Sequence, residues 1–438
     1  MSELRRELGL FTCVLLVIGN IIGVGIFTTP GEIAQGLPTA GWVLAAWAIG
    51  GMMAMAGALT YAELGAMYPR AGGNYVFLKE AYGPLWGFLY GWAYSLVTSA
   101  GTIALLAIGF VEYAGFHTGS LSSKLISMAI VAVLTVLNAR GVKVGAAVMD
   151  GITLTKIAAM AFLVIAGFTF GKGDVTHFHP LFSASSNPFV TIGAALVPLA
   201  FAYSGWNSTT FVGEEIKNPG RLIPLSMIFG TLATAAIYLA MNAVYLYAIP
   251  LDQLVGEVTV AQTAASRLFG PWASALVTAL VATSVLGCLS ASMLSNPRAL
   301  FALGRDGYFF SFVSRIHPRF GTPYGAILFE GVWACVLISV GDFEGILRVL
   351  SVPLVIISSM TVASIFVFRR KQPHAQRPYR CWGYPVVPAI YVAISIFMLY
   401  ATAVNRGRYG LIGIAVFVLG VPIYYLWNRL GLNRAPTA

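Results

Sequence analysis

Apolar residues in this chain come in runs of about twenty or more, separated by short stretches rich in Lys, Arg, Gly and Pro. The runs cover approximately 10–35, 41–67, 84–113, 122–139, 146–170, 189–214, 225–249, 271–303, 325–341, 346–368, 386–404 and 409–428. A helix of about 20 residues crosses the hydrocarbon core of a bilayer. The pattern therefore predicts an all-α, polytopic membrane protein with about twelve transmembrane helices. Tyr75–Tyr82, where aromatic and charged residues mix, reads as a short helix lying on the membrane interface. Trp42, Trp47, Trp86, Trp92, Trp382 and Trp427 fall near run ends and read as interfacial anchors.

The first run is unusual inside. It carries Gly19, Gly23 and Gly25, then Pro30. Glycine weakens a helix by roughly 1 kcal/mol relative to alanine, and lipid crossing alone gains nothing from Gly-Val-Gly at the centre. A helix broken there points free N–H groups and a half-helix dipole into the interior, which suits a carboxylate. Such a break is tolerable at that depth only where it lines a protein cavity. The same stretch also has the small-xxx-small spacing, Gly19 to Gly23, that lets two helices touch.

Composition agrees with a membrane class. Of 438 residues, 58% are hydrophobic and 10% charged, and the mean hydropathy is +0.81. The net charge of +10 lies in the connections between runs, so it argues for membrane orientation and against a nucleic-acid partner. With the N-terminus inside, 19 Lys and Arg fall on the inner side and 6 on the outer, with Lys156 left within a run, of 26 in all. Both termini are thus expected in the cytoplasm, the chain in the cell membrane. No cleavable signal peptide is expected after Arg5 and Arg6. Cys13, Cys288, Cys335 and Cys381 are isolated and give no metal spacing. The five His residues fall in connections. Neither a metal nor a cofactor is called for. An enzyme would need convergent His, Asp or Glu groups at one depth, and an ion channel a repeated pore loop or charge ring. No phosphate-binding loop is present.

The sixth run has a second interruption. Pro198 removes a backbone donor, and Ser204-Gly205 weakens the helix further on. The first and sixth runs each open a set of five. Interruptions at matching places in two halves point to a transporter built from inverted repeats, because five helices reverse the orientation of the second set.

These stretches resemble a known family. Gly19-Asn-Ile-Ile-Gly-Val-Gly-Ile-Phe27 resembles the first-span signature of the amino acid–polyamine–organocation (APC) superfamily. Phe201-Ala-Tyr-Ser-Gly-Trp-Asn207 with Glu214-Glu215-Ile-Lys-Asn-Pro219 is similar to the sixth span of its L-type amino acid transporter branch. Tyr61-Ala-Glu-Leu-Gly65, Pro69-Arg-Ala-Gly-Gly-Asn-Tyr75, Ser295-Asn-Pro-Arg298 and Arg305-Asp-Gly-Tyr308 resemble other family motifs. The resemblance runs from about Arg5 to Tyr384.

It implies a LeuT-like fold. One transmembrane domain, 1–438, would comprise a five-helix repeat over 10–170, an inverted repeat over 189–368, and two further helices over 386–428. Substrate would sit between broken helices 1 and 6. Carried over, the backbone of Gly23, Val24 and Gly25 would hold a carboxylate. Carbonyls near Ile21, Phe201, Ala202 and Ser204, next to Gly205, would hold an amino group. Phe201 would also be a gate, although core packing is the ordinary role of a Phe. Val24 stands where relatives often carry a small hydroxyl residue, so the carboxylate would depend on backbone N–H groups alone. Animal members pair with a glycoprotein through a cysteine between the third and fourth spans. None lies in Tyr113–Ser123, so no such partner is expected.

Lys156 lies near the middle of the fifth run. A charged Lys there costs roughly 3 kcal/mol to insert, so it must be paired, water-facing or neutral. The fifth-span lysine is a recognised family position, where its ammonium can stand in for a sodium ion and brace the first span against the eighth. Glu63, Asp150, Glu214, Glu215 and Glu330 lie near inner run ends and read as inner-gate hydrogen bonds or solvated ends. No Asp or Glu lies beside either break, so neutral amino acids fit best. The resemblance thus implies a secondary active transporter of neutral L-amino acids working by sodium-independent exchange. The alternative is proton-coupled symport, since a desolvated Lys156 amine can exchange its proton.

Overall fold

The computed structural model describes residues 4–114, 116, 120–183, 195, 196, 198–257, 259–340, 343–405 and 407–429. The first apolar run forms three pieces: α1 Leu10–Ile21, α2 Gly25–Thr28 and α3 Pro30–Ala34. Next come α4 Ala40–Met67 and the short α5 Asn74–Tyr82. The third run is α6 Pro84–Ala93 and α7 Ala100–Tyr113, joined by a π-helical turn, Tyr94–Ser99. After these follow α8 Leu121–Ala139 and α9 Val142–Phe170. Residues 198–202 are helical, 203–207 form irregular turns, and α10 Ser208–Phe211 resumes the helix. Residues 189–194 of the sixth expected run lie outside the described residues.

The rest of the chain continues as α11 Pro219–Ala248, α12 Leu251–Leu254, α13 Val260–Phe269, α14 Trp272–Ser295 and α15 Pro297–Arg305. It ends with α16 Tyr324–Val340, α17 Phe343–Lys371, α18 Val386–Asn405 and α19 Gly407–Arg429. Pro84, Pro219 and Pro297 open α6, α11 and α15, where a missing N–H leaves nothing unpaired. Among the described residues, seven helical runs are long and apolar enough to cross a bilayer. Tyr324–Val340 and Val386–Tyr400 are shorter apolar helices. Each of the longer helices lies within a few residues of an apolar run expected from sequence, whereas α12 and α13 fall in the gap between the runs 225–249 and 271–303 and were not expected.

Around α1 the other helices close in. It touches α9, α10, α11 and α14; α11 also lies along α4, and α14 along α7 and α9. Two expectations are corrected. The helix over 74–82 exists but does not lie on an interface: Asn74, Tyr75, Val76, Phe77, Leu78 and Ala81 are buried, packed on α6 and α17. Trp47 is no interfacial anchor. It is wholly buried and makes ring contacts with Tyr203 and Tyr238.

The end of the bundle that carries the N-terminus is rich in Lys and Arg, and it is tightly laced. The N–H groups of Glu7 and Leu8 both donate to the Glu215 carbonyl at 2.9 Å, and the Lys217 N–H returns to Leu8 at 3.0 Å. Arg298 meets Glu215 through two hydrogen bonds, at 2.8 and 2.9 Å. Arg305 meets Glu214 the same way, at 3.0 and 2.9 Å. Tyr75 and Lys79 both donate to Asp306 at 2.6 Å. Glu63 accepts from Arg369, from Arg377 and from the Cys381 N–H. Four of the motifs that carry the family resemblance, 69–75, 214–219, 295–298 and 305–308, thus take part in pairings with one another at this end. Burial in the connection after α17 pushes the Cys381 thiol up to about 11.

Candidate functional site

A helix that stops inside a protein leaves its last four carbonyls without intrahelical partners. In α1 these belong to Ile18, Gly19, Asn20 and Ile21, with Ile22 just beyond. Each finds a donor. The Ile22 N–H returns to Ile18 at 2.9 Å. Lys156, at the middle of α9, donates through Nζ to Gly19 at 3.0 Å and to Ile22 at 2.6 Å. Cys288 Sγ reaches the Asn20 carbonyl at 3.3 Å. The Tyr238 hydroxyl donates to Ile21 at 2.9 Å, and the Ser284 hydroxyl meets Ile22 at 3.3 Å. The donors come from α9, α11 and α14. Lys156 is wholly buried, and its hydrogen-bond partners are carbonyls. The negative end of the α1 dipole faces its ammonium, which is the favourable sense for a cation.

Beyond this cap the chain turns. The Gly23 N–H folds back on the Ile21 carbonyl at 2.9 Å. Among the described residues no acceptor meets the Val24 N–H. Gly25 opens α2, whose Phe27 N–H turns back on the Val24 carbonyl at 3.0 Å, while the N–H groups before it precede any intrahelical acceptor. The break thus offers carbonyls on one side, already capped by the protein, and N–H groups on the other.

The second break lies against the first. A Cβ on Gly25 would stand 2.8 Å from the Ala202 Cα. Gly205 has φ +105°, a left-handed conformation that glycine adopts freely, and a Cβ there would stand 2.8 Å from the Asn20 carbonyl oxygen. A side chain at either position forces the two backbones apart. Gly19 and Gly23 serve helix contact as well, facing Thr153 and Cys288. The break in the helix and the close helix contact therefore occur in one segment.

Among the residues expected to form the site, Ile21, Gly23, Val24, Gly25, Ala202, Ser204 and Gly205 come together at the paired breaks. Several of the carbonyls are already engaged. Ile21 and Ala202 share the Tyr238 hydroxyl, at 2.9 and 3.0 Å. The Phe201 carbonyl accepts from the Ser204 N–H at 3.0 Å and its hydroxyl at 2.8 Å. Phe201 and Ile21 thus each already accept two hydrogen bonds, Ile21 from Gly23 and Tyr238, while Ala202, which accepts from Tyr238, keeps a second lone pair for another donor. The Phe201 side chain is 38% exposed, whereas Ala202 beside it is buried.

Tyr238 is the residue that the sequence reading missed, and it ties the two breaks together. Nothing local separates it from the other nineteen of the chain's 20 Tyr. Cys288 was missed likewise. Ser292 donates to the Asn20 side chain at 3.2 Å. The acidic residues divide. Asp150 accepts from Thr12 at 2.8 Å, and Glu63, Glu214 and Glu215 are ion-paired at the basic end. Glu330 is not a solvated helix end: it is wholly buried and bonds the Ser99 hydroxyl.

This geometry fits a family model described as amino acid permease, which matches residues 8–426. The chain belongs to the amino acid permease family. The permease is therefore a multi-pass membrane transporter, with a LeuT-like helical fold, and not an enzyme. It is 33% identical over 430 residues to the serine/threonine exchanger SteT of Bacillus subtilis, covering 97% of each chain. It is 30% identical over 435 residues to the b(0,+)-type amino acid transporter 1 of Homo sapiens, covering 97% of the permease and 88% of that protein. It is 29% identical over 441 residues to the human cystine/glutamate transporter, covering 98% and 87%.

Proposed function

We propose that this permease exchanges neutral L-amino acids across the cell membrane by alternating access, without sodium. One observation carries the reading: the carbonyl end of α1 is capped by the protein's own cation, Lys156 Nζ, on Gly19 and Ile22. A sodium ion drawn to those carbonyls would have to displace a buried ammonium. The amino acid carboxylate is assigned to the N–H groups around Gly23, Val24 and Gly25. Its amino group is assigned to the carbonyls near Ile21, Phe201, Ala202 and Ser204, where it would replace or share the donors now on Ile21 and Phe201, with Phe201 as the gate. No acidic side chain stands beside either break in the sequence, so a cationic substrate side chain has no counter-charge. The exchanger named for serine and threonine at 33% identity supports a small neutral substrate.

In this reading the repeats are 10–170 and 189–368, followed by 386–428, and both termini are cytoplasmic. The basic end is then the inner end, as the Lys and Arg bias requires. The chain works without a glycoprotein partner. Proteoliposomes test the proposal. Uptake of labelled serine should require an internal neutral amino acid and should ignore sodium and pH gradients. Uptake into empty vesicles driven by either gradient would overturn it.

A further inference from the structure

Glu330 and Arg298 are both wholly buried near the inner end, and each has an idle atom. Arg298 gives Nε and Nη2 to Glu215, while its Nη1 has no hydrogen-bond partner. Glu330 takes the Ser99 hydroxyl on Oε2, while its Oε1 has none. Their helices, α15 and α16, pack on one another. A buried carboxyl with one hydroxyl partner and an empty oxygen calls for an explanation.

The two possible partners of Arg298 sit on different kinds of element. Glu215 belongs to the turn after α10, and its carbonyl holds the N–H groups of Glu7 and Leu8. That turn and the N-terminal segment must separate from the rest if the inner end is to open. Glu330 sits on a braced helix. One turn further along α16, Trp333 donates to the Leu96 carbonyl at 2.8 Å, so α16 grips the π-helical turn Tyr94–Ser99 at two points. Such turns recur at functional sites. Opening the inner end by pulling Glu215 away would strand a buried guanidinium with no charge to match it.

We propose that Glu330 is the second partner of Arg298: the guanidinium trades Glu215 for Glu330 when the inner end opens, so that its charge is matched in both states. This rests on the alternating-access reading above. Glu330 is then a positioning residue for transport, acting through Arg298 and not on the substrate.

Backbone hydrogen exchange at Glu7 and Leu8 reports opening of the inner end, because their N–H groups are held by Glu215 only while it is shut. It needs no transport, so it is independent of the exchange assay on the unaltered chain. Glu330→Gln keeps the size and the Ser99 contact but removes the charge. It should slow exchange at Glu7 and Leu8 by roughly fivefold or more, and lower the turnover of transport with KM unchanged. Glu215→Gln should do the reverse at those amides, and the double variant should return towards the parent. Unchanged or faster amide exchange in Glu330→Gln would overturn the proposal. If that variant fails to fold, Glu215→Gln decides: with Glu330 to receive Arg298 it folds and opens more readily. A Glu215→Gln chain that does not fold contradicts the proposal.

Discussion

Lys156 and Arg298 are both wholly buried cations, and the protein neutralises them by different means. At mid-depth, Lys156 meets the carbonyls that end α1. At the basic end, Arg298 meets a carboxylate through two hydrogen bonds. The middle of the membrane region thus uses dipoles, and the end uses charges. The difference follows from what each place must do. An extra buried anion at mid-depth is expensive, and a helix terminus supplies its partial negative charge without one. An end that opens to water can break ion pairs and rehydrate them. In the proposed function substrate is read by backbone, while the closure at the basic end is an arrangement of ion pairs.

Substitutions sharpen the contrast. The largest loss of stability should come from Glu63→Ala, which strips Arg369, Arg377 and the Cys381 N–H of one shared acceptor. About 3–5 kcal/mol is expected, measured as thermal unfolding in detergent; a loss under 1 kcal/mol would mean the end is not held by charge. Lys156→Met comes next. It orphans the Gly19 carbonyl and leaves Ile22 only the longer Ser284 contact, at about 1–3 kcal/mol, and should bring amino acid exchange to background. Parental kinetics in that variant would remove Lys156 from the mechanism. Tyr238→Phe deletes one hydroxyl shared by Ile21 and Ala202. It should cost about 1–3 kcal/mol and slow transport with little loss of expression. The smallest effect concerns Cys381. With its thiol pushed up to about 11 by burial, it is neutral at pH 7, since a thiol ionises only as pH approaches its pKa. Thiol reagents should label it slowly there and faster as pH rises. Fast labelling at pH 7 would show an open inner end.

Much of the fold was legible because membrane crossing needs long apolar runs, and these mark the helices to within a few residues. Both breaks were legible for the reason that glycine in a helix needs explaining, and Lys156 because a charge at that depth does. The pairings were not. Glu63 meets Arg369 across 306 positions of sequence, and only the packing of α4 against α17 brings them together. Tyr238 carried no local signal, since an isolated Tyr in an apolar run is ordinary packing until the carbonyls it serves are seen. The helix over 74–82 was placed on the surface for a related reason. Its mixed composition reads as amphipathic, but Lys79 is consumed by Asp306 and the rest of that face is buried.

The central claim is that two adjoining helix breaks grip both ends of a zwitterion through backbone groups. Competition against labelled serine in preloaded proteoliposomes tests it most directly, using serine, its methyl ester and its N-acetyl derivative. The account expects serine to compete and both blocked forms to fail, because each lacks one charged end. Competition by either blocked form at serine-like concentration would contradict it.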